Sequence, residues 1–208
     1  MEKQLLLIIT ADDFGYSRSV NKAIEKVARD GVLKCASLMV TGCEFDNAVS
    51  IAKTVPDLQV GLHIAVTGVK PVSNQNFLPL LIDKNGYFKN NPAFIGTVLY
   101  YSKLAQEQIS LEIKSQFEKF ISTGLKLTHV DCHHHFHIHP TLFDIILENC
   151  KKYKVKTIRI PYEPWEISGT ICNKNKIRNF FYRKVFGILS KKCKRKIKDL
   201  EIKCTDGI

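Results

Sequence analysis

The chain has 208 residues, 45% of them hydrophobic and 25% charged, which excludes a mainly disordered or low-complexity protein. Its formal net charge is +11, but eleven basic and no acidic residues fall between Asn173 and Lys198, so the remainder balances and a whole-chain nucleic-acid binder is disfavoured. The longest apolar runs, such as Leu5 to Ile9, fall far short of the roughly 20 residues a bilayer requires, and the start of the chain is too short in apolar residues for a signal peptide. Seven cysteines, an odd number without a CxxC pair, fit a reduced, cytoplasmic setting.

In chain order, Gln4 to Thr10 reads as a buried strand. Ser17 is a plausible N-cap for a helix carrying Val20, Ala23, Ile24, Val27 and Ala28 at helical spacing and stopping at Gly31. Leu33 to Thr41 is a second strand, Phe45 to Thr54 a second helix ending before Pro56, and Leu58 to Val66 a third strand. Thr67 to Asn91, rich in Pro, Asn, Gly and Lys, is a long loop expected to cover one end of the sheet. Helices follow at about Ala93 to Lys103 and Gln106 to Ser122, the second with Ile109, Ile113, Phe117, Phe120 and Ile121 on one face. Lys126 to Asp131 is the fourth strand, Leu142 to Tyr153 a helix, Val155 to Ile160 the fifth strand, and the basic stretch is helical. Five βα units in one domain, 1–208, point to a parallel sheet or an α/β barrel.

Six of the seven histidines lie within THVDCHHHFHIHP: His129, His133, His134, His135, His137 and His139. Taken as extended chain, the odd positions, Asp131 included, share one face and Val130, Cys132, Phe136 and Ile138 the other. Residues 129 and 139 would then be on the order of 30 Å apart, so one ion cannot use the whole face. A merely solvated His tract is the alternative, but the run starts at the C-terminal end of a strand, where α/β folds place their sites. Asp12 and Asp13 in ADDFG end the first strand, as ligand and base or as helix caps. His63 in VGLHIAV ends the third, as a ligand or a core histidine. Asp, His and His at one rim suit a divalent ion with open positions, as hydrolysis requires. Imidazole donors favour zinc or another transition metal over magnesium.

Four ordered motifs, ADDFG, GLH (Gly61 to His63), HVDCHHHFH (His129 to His137) and RIPYE (Arg159 to Glu163), resemble those of the YdjC-like carbohydrate deacetylases, which include chito-oligosaccharide deacetylases and hopanoid-biosynthesis relatives. The resemblance covers nearly all of residues 4–165. It implies a deformed β/α, TIM-like barrel of the glycoside hydrolase/deacetylase superfamily and metal-dependent removal of acetyl groups from N-acetylated sugars. It makes Asp13, His63 and His133 the metal ligands, with magnesium as the family's usual ion, and Asp12 the base. The leaving amine takes its proton from His135 or His137; His137 is assigned to that step, and His135 with Arg159 to the sugar. Arg159 can equally orient a carboxylate or sit in a structural ion pair. Cys132 replaces the family's Ser, a change expected to be mild because period 2 turns it off the ligand face.

The resemblance also implies a barrel incomplete at its C-terminal end, since family members run longer and CTDGI reads as the start of a further motif. Reduced stability or a homodimer is expected from the open edge. The rival function comes from the basic segment 173–198, where Ile177, Phe180, Phe181, Val185, Ile188 and Leu189 form an apolar stripe. Such a helix can bind an anionic membrane surface or nucleic acid, or pack on the barrel with a solvated basic face.

Overall fold

The computed structural model describes residues 7–161 and 176–205, the backbone alone for 176–183. Six parallel strands pair in sequence order. They are β1 (Thr10–Phe14), β2 (Cys35–Leu38), β3 (Gln59–Ile64), β4 (Val130–Cys132), β5 (Thr157–Ile158) and β6 (Lys203–Cys204). Between them run α1 (Arg18–Asp30), α2 (Phe45–Thr54), α3 (Pro92–Tyr101), α4 (Lys103–Ser122), α5 (Pro140–Lys152) and the basic helix Lys176–Ile197. Parallel neighbours need such crossovers, and the alternation of units anticipates them. The fold is the expected α/β type. Among the described residues, however, β1 and β6 do not pair, so the barrel is not closed. The sixth strand is not legible in the sequence, because its two residues carry too little pattern.

Helices match expectation closely. Ser17 caps α1, its Oγ accepting from the Val20 N–H, and α2 spans the anticipated residues. Strands differ more. β1 begins where the apolar run ends, because only at Thr10 does Cys35 offer a pairing partner; Leu7 and Ile8 are exposed, and Gln4 to Leu6 lie outside the described residues. β4 starts at Val130 rather than Lys126. In α4 the buried face also holds Gln108, Glu112 and Gln116, while Ile121 faces outward. Those polar side chains are spaced four residues apart and pin the long loop: Glu112 accepts from the Val72 and Ser73 N–H groups, and Gln108 from Leu80. Gln116 brackets the backbone of Ala65 from both sides. The loop buries Val69, Leu78, Leu81 and Phe88, so it folds as a pinned cover.

The basic helix packs on α5 and the His-rich turn through Ser190, Cys193 and Ile197. Val185 and Ile188, placed on the apolar stripe, are instead exposed, and the buried face is turned away from them. The side chains of Ile177, Phe180 and Phe181 lie outside the described residues, as does Glu163 of RIPYE. None of the described helices is long and apolar enough to cross a membrane.

Candidate active site

The strand register places the site. Leu62, Val130 and Ile158 align across β3, β4 and β5 on one face, all buried in the apolar core. One residue further along, His63 aligns with Asp131, and the Arg159 N–H donates to the Val130 carbonyl, which brings Arg159 beside them on the opposite face. One row below, Ser37 aligns with Gly61, and His129 lies next to it. Gly61 is required by that neighbour: a Cβ there would stand 2.4 Å from the His129 ring.

β1 supplies two carboxylates through an irregularity. Its register with β2 shifts between Ala11 and Phe14, and Asp13 takes a left-handed backbone, φ 59°. A regular strand would send Asp12 and Asp13 to opposite faces; the bulge lets both reach the site. Asp13 Oδ1 accepts from His133 Nδ1 at 2.9 Å and lies 3.2 Å from His63 Nε2. Asp12 receives the Arg159 guanidinium on both oxygens at 2.8 Å. The turn is held from behind by Asn21, which accepts from the Gly15 N–H and donates to the Glu44 carbonyl and to Asn47.

The His run does not stay extended. After β4 it winds into a 3₁₀ turn, His133–Ile138, with His134 and His135 at φ 57° and 54°. Left-handed non-glycine residues cost of order 1–3 kcal/mol each and gather at functional sites. The turn sends the histidines in different directions. His133 reaches Asp13, His129 bonds Ser37, and His139 stacks on Phe136. His137, 1% exposed, donates from Nε2 to the Arg159 carbonyl, and burial pushes its pKa down to about 4. Cys132 is buried away from the site, and its burial pushes the thiol up.

Charge at the rim is coupled. Hydrogen bonds from His133, then His63, hold the Asp13 carboxyl below the usual carboxylate range. Burial opposes a charge on His63, but Asp131 and Asp13 outweigh it and raise its pKa to about 9. The ligand atoms of Asp13, His63 and His133 all lie within 4.8 Å of one another, so one carboxylate and two imidazoles fit a single divalent cation.

The profile of the family described as YdjC-like protein matches residues 6–208. The chain belongs to the YdjC-like family. A carbohydrate deacetylase of Brevibacillus brevis is 40% identical over 156 residues, 75% of this chain and 59% of that protein. One from Vibrio cholerae is 38% identical over 182 residues, 88% of this chain and 68% of that protein. A crystal structure from Enterococcus faecalis V583, named for cellobiose-phosphate cleavage, is 26% identical with a TM-score of 0.64, covering 88% of this chain and 64% of that one. This YdjC-like chain thus spans about three-fifths to two-thirds of the length of the relatives it matches.

Asp12, Asp13, His63, His133 and Arg159 converge, as the motifs imply. His135 borders them: among the described residues its buried Nδ1 has no partner, and Arg159, then Asp12, are the charges that act on it most. His137 does not face the site; its assignment as the acid conflicts with a buried ring already bonded to backbone. Asp131, Ser37 and His129 also belong to the site: in the sequence Asp131 is one position of the polar face, Ser37 a lone hydroxyl in CASL, and His129 one of six clustered histidines. A polar residue inside an otherwise apolar parallel strand was the available signal for Ser37.

Proposed function

We propose that this protein is a metal-dependent hydrolase that removes acetyl groups from N-acetylated sugars. The observation that carries the reading is the convergence of Asp13, His63 and His133 beside a second carboxylate, Asp12, gripped on both oxygens by Arg159. The curated relatives named carbohydrate deacetylases supply the substrate class.

Asp13, His63 and His133 would hold one divalent ion. When bound, it supplies positive charge against the acetamide oxygen and makes water more acidic. Two imidazoles among three donors favour zinc, cobalt, nickel or iron over magnesium. Asp12, part exposed and oriented by Arg159, takes a proton from the attacking water as its oxygen bonds the carbonyl carbon. His135 then gives a proton to the sugar nitrogen as the C–N bond breaks, leaving acetate and a free amine. His137 is too enclosed for this and instead fixes the backbone of Arg159. Arg159 serves the base rather than the sugar, because its two Nη groups are occupied by carboxylates.

The test is acetate release from N-acetylglucosamine oligomers by chelated protein resupplied with zinc, cobalt, manganese or magnesium. Release that requires one of these ions, and falls about 10²-fold or more in Asp12→Asn, supports the reading. Release indifferent to chelation would sink the metal role; no release from any acetylated sugar would sink the substrate class.

A further inference from the structure

Asp131 takes no part in the reaction as proposed, yet it is fully buried at the centre of the polar row. An ionised carboxylate only accepts, and Asp131 has three donors around it. Oδ1 lies 2.7 Å from His63 Nδ1. Oδ2 accepts from Ser37 Oγ at 2.7 Å and lies 2.8 Å from Arg159 Nη2. Since Ser37 spends its proton on Asp131, its oxygen is left to accept from His129 Nε2, 3.1 Å away. A buried charge so paired is costly to leave half satisfied.

We propose that Asp131 is the positioning residue joining the two halves of the site. By taking the Nδ1–H of His63 it leaves Nε2, the nitrogen facing Asp13, as the one offered to an ion. By taking one Nη2–H of Arg159 it fixes the plane of the guanidinium whose fork grips Asp12. A single buried carboxylate thereby sets both where the ion sits and where the base points. Ser37 and His129 brace Asp131 from the row below, and Gly61 makes the room for that brace. The inference rests on the ion site proposed above.

Asp131→Asn tests it with nearly unchanged volume. If the amide oxygen faces His63, the NH₂ opposes Arg159 and the fork loses its anchor. If the NH₂ faces His63, it opposes Nδ1–H and drives the ring to the other tautomer. Two readouts apply: zinc affinity by competition with a chromophoric chelator, and the His63 tautomer by ¹⁵N NMR of metal-free protein, with the pH raised until the ring is neutral. The expected result is a wild-type His63 carrying Nδ1–H, and zinc affinity about 10- to 100-fold weaker in Asp131→Asn. Ser37→Ala, which leaves both arms of Asp131 in place, should keep affinity within about threefold of wild type, well inside that second-shell loss. A melting temperature lowered in Asp131→Asn with zinc affinity unchanged would overturn the proposal. So would a wild-type ring carrying Nε2–H, a result that needs no variant to fold. Failure of the wild-type protein to bind any divalent ion would overturn the ion site itself, a separate outcome.

Discussion

Arg159 lies fork to fork against Asp12, with 2.8 Å on both arms, although 147 positions separate them in sequence. The planar guanidinium satisfies both carboxylate oxygens at once, which a lysine cannot do. Arg159→Lys should therefore keep the charge and lose the alignment. We expect kcat for acetate release to fall about 10-fold or more with KM changed little, since a positioning defect of this kind acts on the reacting geometry. An equal rise in KM, with kcat intact, would return Arg159 to sugar binding.

Asp13 is the carboxylate of the ion site. Asp13→Asn should lower bound metal, read by elemental analysis after loading with zinc, and reduce activity to near background. The fold should persist, because the variant keeps the shape and one oxygen facing His133 and His63. Full metal content in a soluble, folded Asp13→Asn protein would remove Asp13 from the ligand set.

His137 gives a pH dependence with a definite sign. In the folded protein its pKa is lowered to about 4, mainly by burial, while the unfolded chain protonates near 6.5. Between those values the unfolded state binds the extra proton, so stability is fully present above about 6.5 and is lost as pH falls toward 4. The contribution is about 3 kcal/mol across that window. His137→Phe should flatten the acid side of a urea-denaturation profile by roughly that amount, while weakening the protein at neutral pH by about 1–3 kcal/mol because the Arg159 carbonyl loses its donor. An acid limb identical in both proteins would contradict the assignment.

Gly61 is set by packing rather than by backbone freedom. Gly61→Ala puts a methyl 2.4 Å from the His129 ring, which must move and drop its bond to Ser37. A loss of about 1–3 kcal/mol in denaturant titrations is expected. Unchanged stability would show that the ring has somewhere else to go.

Much of this was legible in the chain itself. The helices α1 and α2 follow from apolar spacing and their caps, which are local properties. Asp12, Asp13, His63 and His133 could be singled out because strand ends in α/β folds gather at one rim, so chemistry-bearing residues there meet whatever the details. Strand limits were less legible: a parallel strand extends only as far as its neighbour pairs with it, and Leu7 to Ile9 have the composition of a strand but no strand partner among the described residues.

The direction of each histidine was beyond the sequence. Period 2 puts the odd positions from 129 to 139 on one face, but left-handed turns at His134 and His135 end the period, and the ring of His137 goes into the core instead of the site. The alternation of Asp12 and Asp13 failed for the same reason, a bulge with Asp13 at φ 59°. The residue types, their order and the rim they occupy were fixed by the chain, because composition and local spacing suffice for those. Which imidazole meets which carboxylate was decided by register and by a few strained backbone angles, which arise only when distant strands are packed side by side.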